Sequence, residues 1–126
     1  MSLLIDTHVF LWFQSESTKL GDRLRETIAE EPDVYVSAAA FWEIAIKRRG
    51  GKLGFEGSPR AAALAAGFLE LPIDGEDAET AGGLDWDNRD PFDRILVAHC
   101  LNRGLTLVTA DSRLRSRTDI AMMWAG

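Results

Sequence analysis

Apolar and polar positions follow two periods along this chain, one suited to strands and one to helices. Leu3–Asp6 is a short apolar run that stops at an acid, which reads as a buried strand entering a loop. Thr7 and His8 follow, and Val9–Phe13 predicts a helical turn or short helix. From Lys19 to Glu31 apolar residues recur every fourth position (Leu20, Leu24, Ile28), an amphipathic spacing that Pro32 ends. Asp33–Ser37 alternates and is β-rich, a second strand. Ser37 can cap a helix across Ala38–Arg49 that Gly50 and Gly51 stop. Pro59 sits at the start of an alanine-rich helix over Arg60–Leu69, and Glu70–Ile73 reads as a short third strand. Asp77–Gly82 suggests a short helix. Asp90-Pro91 opens the strongest helix, running to Arg103 with Gly104 just past its end. Leu105–Thr109 is a strand leading into Ala110 and Asp111; Ser112–Arg117 reads as helical and Ile120–Trp124 as a last strand.

Strands and helices alternating at this spacing predict an α/β domain around a mostly parallel sheet whose apolar strands are buried on both faces. A length of 126 residues fits one domain spanning 1–126. In open sheets of this kind ligands sit beyond the carboxyl ends of the strands. Asp6 and Asp111 directly follow two apolar strands, where that rule places a site.

Composition changes the picture little: 46% apolar and 27% charged residues are ordinary for a folded protein. No apolar run approaches the ~20 residues of a membrane span. The start, MSLLIDTHVFLWF, has neither a basic leader nor a small-residue cleavage site, so the cytoplasm is the expected compartment. The lone Cys100 lies in an apolar helical pattern and reads as core filling. Net charge is −6, which argues against gripping a polyanion by bulk electrostatics. Its distribution says more. Residues 70–93 hold nine acids against one base, Arg89, whereas Lys47, Arg48, Arg49, Lys52 and Arg60 form a basic stretch and Arg113, Arg115 and Arg117 a smaller one. Solvated surface is the plain reading of each. Basic flanks around an acidic centre are also what a nucleic-acid cutter needs, with metal ions inverting the sign of the centre.

Each acid of interest has two readings. Asp6 and Asp111 can cap the helices that follow them or meet at the sheet's carboxyl edge. Thr7 can cap or face a metal-bound water, and Thr109 can satisfy the turn before Asp111. Glu43 can pair with Lys47 one turn along or aim into a site. Asp90 fits the N-cap of its helix, whereas Asp93, three residues on, is free to point at a metal. A cluster of these carboxylates would repel itself unless it held a hard divalent cation, and such an ion can activate water against a phosphodiester. His8 can lie near that site, His99 lies well round its helix from Asp93, and two histidines without cysteine partners argue against zinc.

Four segments in order, LLIDTHVFLW, VSAAAFWEIAIKRRGGKL, RDPFDRILVAHCLNRGLTLVTAD and IAMMW, carry a family resemblance. The sequence resembles the PIN-domain nucleases, specifically the VapC-like toxins of type II toxin–antitoxin systems. That resemblance implies a three-layer α/β/α fold with about five mostly parallel strands, and Mg²⁺-dependent (or Mn²⁺-dependent) endoribonuclease activity. Carried over position by position, its metal-binding and catalytic acids are Asp6, Glu43, Asp93 and Asp111, with Asp90 a neighbour of the four. Thr7, Arg48, Arg49 and Thr109 are the candidates for contact with RNA. A cognate antitoxin and homodimerisation are the implied partnerships. One departure is visible: Asn88 stands where relatives often carry His before RDPFDR, which is expected to affect a peripheral contact only. The competing reading is a non-catalytic PIN-like module that binds RNA or protein; loss of an acid would favour it, and all four are present. A phosphoryl-transfer receiver needs a late lysine, and the last lysine is Lys52. A haloacid-type phosphatase needs Asp-x-Asp where this chain has Asp6-Thr7-His8.

Overall fold

A computed structural model of the chain describes residues 1–125. Leu3–Ile5, wholly buried, form strand β1, and Asp6 turns the chain into helix α1, Thr7–Gln14. There follow α2 (Asp22–Glu30), β2 (Val34–Ser37), α3 (Ala38–Arg49), α4 (Pro59–Ala65), β3 (Leu69–Leu71), α5 (Gly75–Gly82) and α6 (Pro91–Arg103). Strand β4 (Thr106–Thr109), a 3₁₀ turn at Ser112–Ser116 and β5 (Met122–Trp124) complete the order. The strands lie β3-β2-β1-β4-β5, every pair parallel. Parallel neighbours need a crossover, and the helices supply it.

Side chains alternate across the sheet and so divide the core in two. Leu3, Ile5, Val34, Val36 and Val108 face one way and pack against Val9, Phe10, Ile28, Ile44 and Ala63 of α1–α4 and Leu20 just before α2. Leu4 and Leu107 face the other way, against Leu96, Val97 and Cys100 of α6 and Leu114. Helix α5 packs along α6. The result is the expected three-layer α/β/α arrangement, with a sheet parallel throughout. Among the described residues no helix is long and apolar enough to cross a membrane.

Element ends moved where tertiary contacts outweigh local pattern. The alanine-rich helix stops at Ala65 rather than Leu69, because Gly67 takes φ 88° and turns Phe68 into the core. Strand β3 is Leu69–Leu71 rather than Glu70–Ile73, fixed by its register against Tyr35–Ser37 and followed by Pro72, which has no N–H to offer. The Ser112–Arg117 segment is a single 3₁₀ turn.

Behind the sheet's carboxyl edge, His99 is fully buried between Ser37 Oγ at 2.8 Å and Asp77 Oδ2 at 3.2 Å. Burial lowers the His99 pKa, and a neutral ring protonated at Nδ1 donates to Asp77 while Nε2 accepts from Ser37. Burial alone would raise Asp77, but hydrogen bonds from Arg103 (2.6 Å) and Asn102 (3.0 Å) hold it down to about 2. The Ser–His–Asp order invites comparison with a hydrolase triad. All three residues are sealed from solvent, so the row is a strut. It ties the start of α3 to the body of α6.

Candidate active site

Two strands at the centre of the sheet set the site. From β1 the chain proceeds through β2 and β3 on one side, and β4 and β5 lie on the other, so the strand order reverses between β1 and β4. Crevices form at such a reversal. Asp6 and Asp111 emerge there.

Asp6 is the N-cap of α1: its Oδ1 accepts from Val9 N–H at 2.9 Å, and its Oδ2 accepts from the Thr109 hydroxyl. Thr109 Oγ1 accepts in turn from Asp111 N–H at 3.0 Å, so one hydroxyl couples the ends of β1 and β4. Asp6 is only 5% exposed. That burial raises its pKa against the opposing hydrogen bonds from Thr109 and Val9, with the nearby Asp111 charge adding to the rise.

Asp93 stands in the first turn of α6, behind an Asp90 cap whose Oδ1 accepts from Phe92 N–H at 2.9 Å and Asp93 N–H at 3.3 Å. Pro91 tolerates that first turn because its missing N–H has no helical partner to lose. Burial pushes the Asp93 carboxyl up to about 6; the Asn88 hydrogen bond and Arg113 oppose it, and Asp90 and Asp111 add to it. Asn88 Nδ2 donates to Asp93 Oδ2 at 2.9 Å, while its Oδ1 accepts from Asp90 N–H. The contact expected to be peripheral is therefore made directly to one of the four acids.

Glu43 projects from the middle of α3. Thr7 Oγ1 donates to its Oε1 at 2.6 Å, and Lys47 Nζ, one turn on, to its Oε2 at 2.9 Å. Both readings of Glu43 hold at once: the helical ion pair exists, and the carboxylate faces the cleft. The Ser37–His99–Asp77 strut fixes α3 against α6, and so fixes Glu43 relative to Asp93.

Asp111 caps the 3₁₀ turn through Arg113 N–H at 3.0 Å, and the Arg113 guanidinium closes back on it with Nη2 at 2.7 Å from Oδ2. Those hydrogen bonds hold Asp111 below the ordinary carboxylate range, against the effect of partial burial. Arg113 Nη2 also lies 3.3 Å from Asp93, and Nη1 3.8 Å from Asp90.

Asp6, Thr7, Glu43, Asp93 and Asp111 line one cleft of ≈ 180 Å³, with His8, Lys47, Asp90, Phe92, Leu96 and Arg113 completing its walls. Thr109 lies beneath it. Arg48 and Arg49 lie outside: Arg48 Nη1 donates to the carbonyls of Phe55 (3.1 Å) and Gly57 (2.7 Å), holding a loop, and Arg49 is exposed. The smaller basic stretch is also engaged at home, with Arg115 stacked 3.7 Å from the Trp124 ring centre and Arg117 paired with Asp119. Sequence reasoning missed Arg113 as a cleft residue. Its signals were its membership of the smaller basic stretch and its place two residues beyond Asp111, at the start of a capped turn.

All-oxygen donors of this kind suit a hard divalent cation. Among the described residues no three carboxylate, imidazole or thiolate groups converge closely enough to enclose one with the side chains as they stand. Arg113 and Lys47 draw four of the cleft's five carboxylates toward themselves. Asp6 and Asp93 are the most buried of the cleft's acids, Asp6 takes part in none of these ion pairs and Asp93 only in that with Arg113, and the two are the residues best placed to hold a cation.

The PIN-domain family model matches residues 3–119. Ribonuclease VapC22 of Mycobacterium tuberculosis is 29% identical over 118 residues, covering 91% of each chain. Among solved structures, VapBC2 from Rickettsia felis bound to a promoter DNA fragment superposes with a TM-score of 0.70 over 100% of both chains at 12% identity. A toxin–antitoxin complex from Klebsiella pneumoniae superposes at 0.67, covering 95% of this chain and 96% of that one at 18% identity. At such identities the structural likeness speaks for the fold.

Proposed function

The chain belongs to the PIN-domain family, and on that premise we propose that it is a divalent-metal-dependent endoribonuclease acting as the toxin of a type II toxin–antitoxin pair in the cytoplasm. One observation carries the reading. Four acids from separated stretches, Asp6, Glu43, Asp93 and Asp111, line a single cleft at the point where the strand order reverses. The relative named as a ribonuclease supports RNA as the substrate class, and the solved toxin–antitoxin complex supports an antitoxin as the partner. A second copy of the chain is the expected further partner. A non-catalytic module would not need all four carboxylates kept in one cleft.

Mg²⁺ or Mn²⁺, when bound, supplies Lewis acidity and charge neutralisation for hydrolysis of a phosphodiester. The chain's residues do the remainder. Asp6 and Asp93 would hold the cation, each pre-oriented by bonds that leave it little freedom: Val9 N–H and Thr109 for the first, Asn88 for the second. Glu43, steadied by Thr7, orients the attacking water and accepts a proton at its carboxylate oxygens. Asp111 would complete the oxygen donor set. Lys47 and Arg113 set positive charge on the walls of the cleft, where phosphate oxygens must enter.

Incubation with total RNA, with and without Mg²⁺ or Mn²⁺, followed by mapping of cut ends, tests this. Discrete cuts that appear with metal and vanish in excess chelator are expected. Equal cleavage in chelator refutes the reading.

A further inference from the structure

Five carboxylates (Asp6, Glu43, Asp90, Asp93 and Asp111) line the cleft alongside two permanent cations, Lys47 and Arg113. The two cations are placed differently. Lys47 belongs to the helix that carries Glu43 and answers that one acid. Arg113 reaches across elements: its forked head touches Asp111 at 2.7 Å, Asp93 at 3.3 Å and Asp90 at 3.8 Å. Its backbone N–H is pinned by the Asp111 cap, while its side chain is 57% exposed. The base of the arm is fixed and its head has solvent to move into.

A guanidinium in this position does for Asp93 and Asp111 what a divalent cation would do. Both cannot sit there together, because like charges a few ångströms apart repel. The freed head would remain at the lip of the cleft, and a planar fork matches two oxygens of a phosphodiester as well as it matches a carboxylate. Resting on the metal-dependent reading above, we propose that Arg113 is an exchangeable counter-cation: it holds Asp93 and Asp111 until the site is loaded, then turns to the RNA phosphate. Metal loading thereby readies the arm that binds substrate, and the protein is protected from its own acidic cluster beforehand.

Two measurements on the full chain test this, one of them free of RNA. Mn²⁺ binding is titrated by electron paramagnetic resonance for wild type, Arg113→Ala and Arg113→Lys. Arg113→Ala is expected to bind Mn²⁺ about two- to fivefold more tightly, the size of an exposed forked ion pair that no longer has to be broken. Arg113→Lys, which keeps the charge and loses the fork, falls between. At saturating Mn²⁺, the Ala variant should show a KM for RNA raised about tenfold with kcat little changed, and a salt dependence of KM shallower by about 0.7 in log–log slope, one phosphate contact on a single strand. Unchanged or weaker Mn²⁺ binding by Arg113→Ala overturns the proposal, as does tighter binding with an unaltered KM. A wild type that binds no Mn²⁺ overturns it together with the nuclease reading; a wild type that binds Mn²⁺ while Arg113→Ala matches it overturns the proposal alone.

Discussion

Asp93→Asn separates the cost of the acidic cluster from its use. In the wild-type fold the Asp93 carboxyl rises from 3.8 to about 6, chiefly through burial. That interval corresponds to about 3 kcal/mol by which the ionised form is disfavoured in the folded protein. The sign follows directly. A carboxyl whose folded pKa is raised stabilises the fold fully below 3.8, where it is protonated in both states, and that contribution is lost as pH rises through about 6. Asparagine carries no charge to desolvate and can still accept from Asn88. The attraction of half-exposed Arg113, 3.3 Å away, is already contained in that net rise, since Arg113 is one of the groups that oppose it. A gain of up to about 3 kcal/mol is therefore expected near pH 7.5 without metal, a rise in Tm of up to about 11 °C for a chain of this size. Melting of both proteins in chelator from pH 4 to 8 is the assay. The two curves should meet near pH 4 and diverge through pH 6, and Asp6, raised in both proteins, cancels from the difference. Added Mn²⁺ should stabilise wild type and leave the variant nearly unmoved, and the variant should not cut RNA. A variant less stable than wild type at pH 7.5 in chelator, or a gap that does not vary with pH, would show that Asp93 is not electrostatically strained.

Thr7→Ala removes the hydroxyl that holds Glu43 at 2.6 Å, so cleavage should fall about 10- to 100-fold while Tm moves by less than about 3 °C; unaltered kcat would show that Glu43 needs no such guide. Asp77→Ala removes the strut's anion from between Arg103 and His99 and should cost about 3–5 kcal/mol in denaturant unfolding. Because Asp77 is held down to about 2, its contribution is present above pH ~4 and is lost as pH falls toward 2. Wild type and variant should therefore converge in acid, and a gap that stays constant down to pH 2 would contradict the assignment.

Local chemistry made several elements legible. Helix α3 runs over Ala38–Arg49 as expected because Ser37 supplies the cap and Gly50 the stop. Helix α6 keeps its expected ends because Asp90 and Pro91 start it and Gly104 can take φ 67° beyond it. Strand β3 and the end of α4 were less legible, since their limits come from pairing with β2 and from the burial of Phe68.

Asp6, Asp93 and Asp111 could be named from sequence because each sits where local structure changes, after a strand or at a helix start, whereas Glu43, in the middle of α3, was named only through a family motif that its own spacing did not reveal. Spacing could not show that Asp6 and Asp111 share one hydroxyl, 103 residues along from the first. Nor could it show that a buried histidine sets Glu43 against Asp93, or that Arg48 serves a loop while Arg113 enters the cleft. Helix caps and apolar periods depend on neighbours within a turn or two, so the chain by itself determines them. Which cation faces which carboxylate depends on distances between elements far apart in sequence, and those exist only once the sheet has assembled.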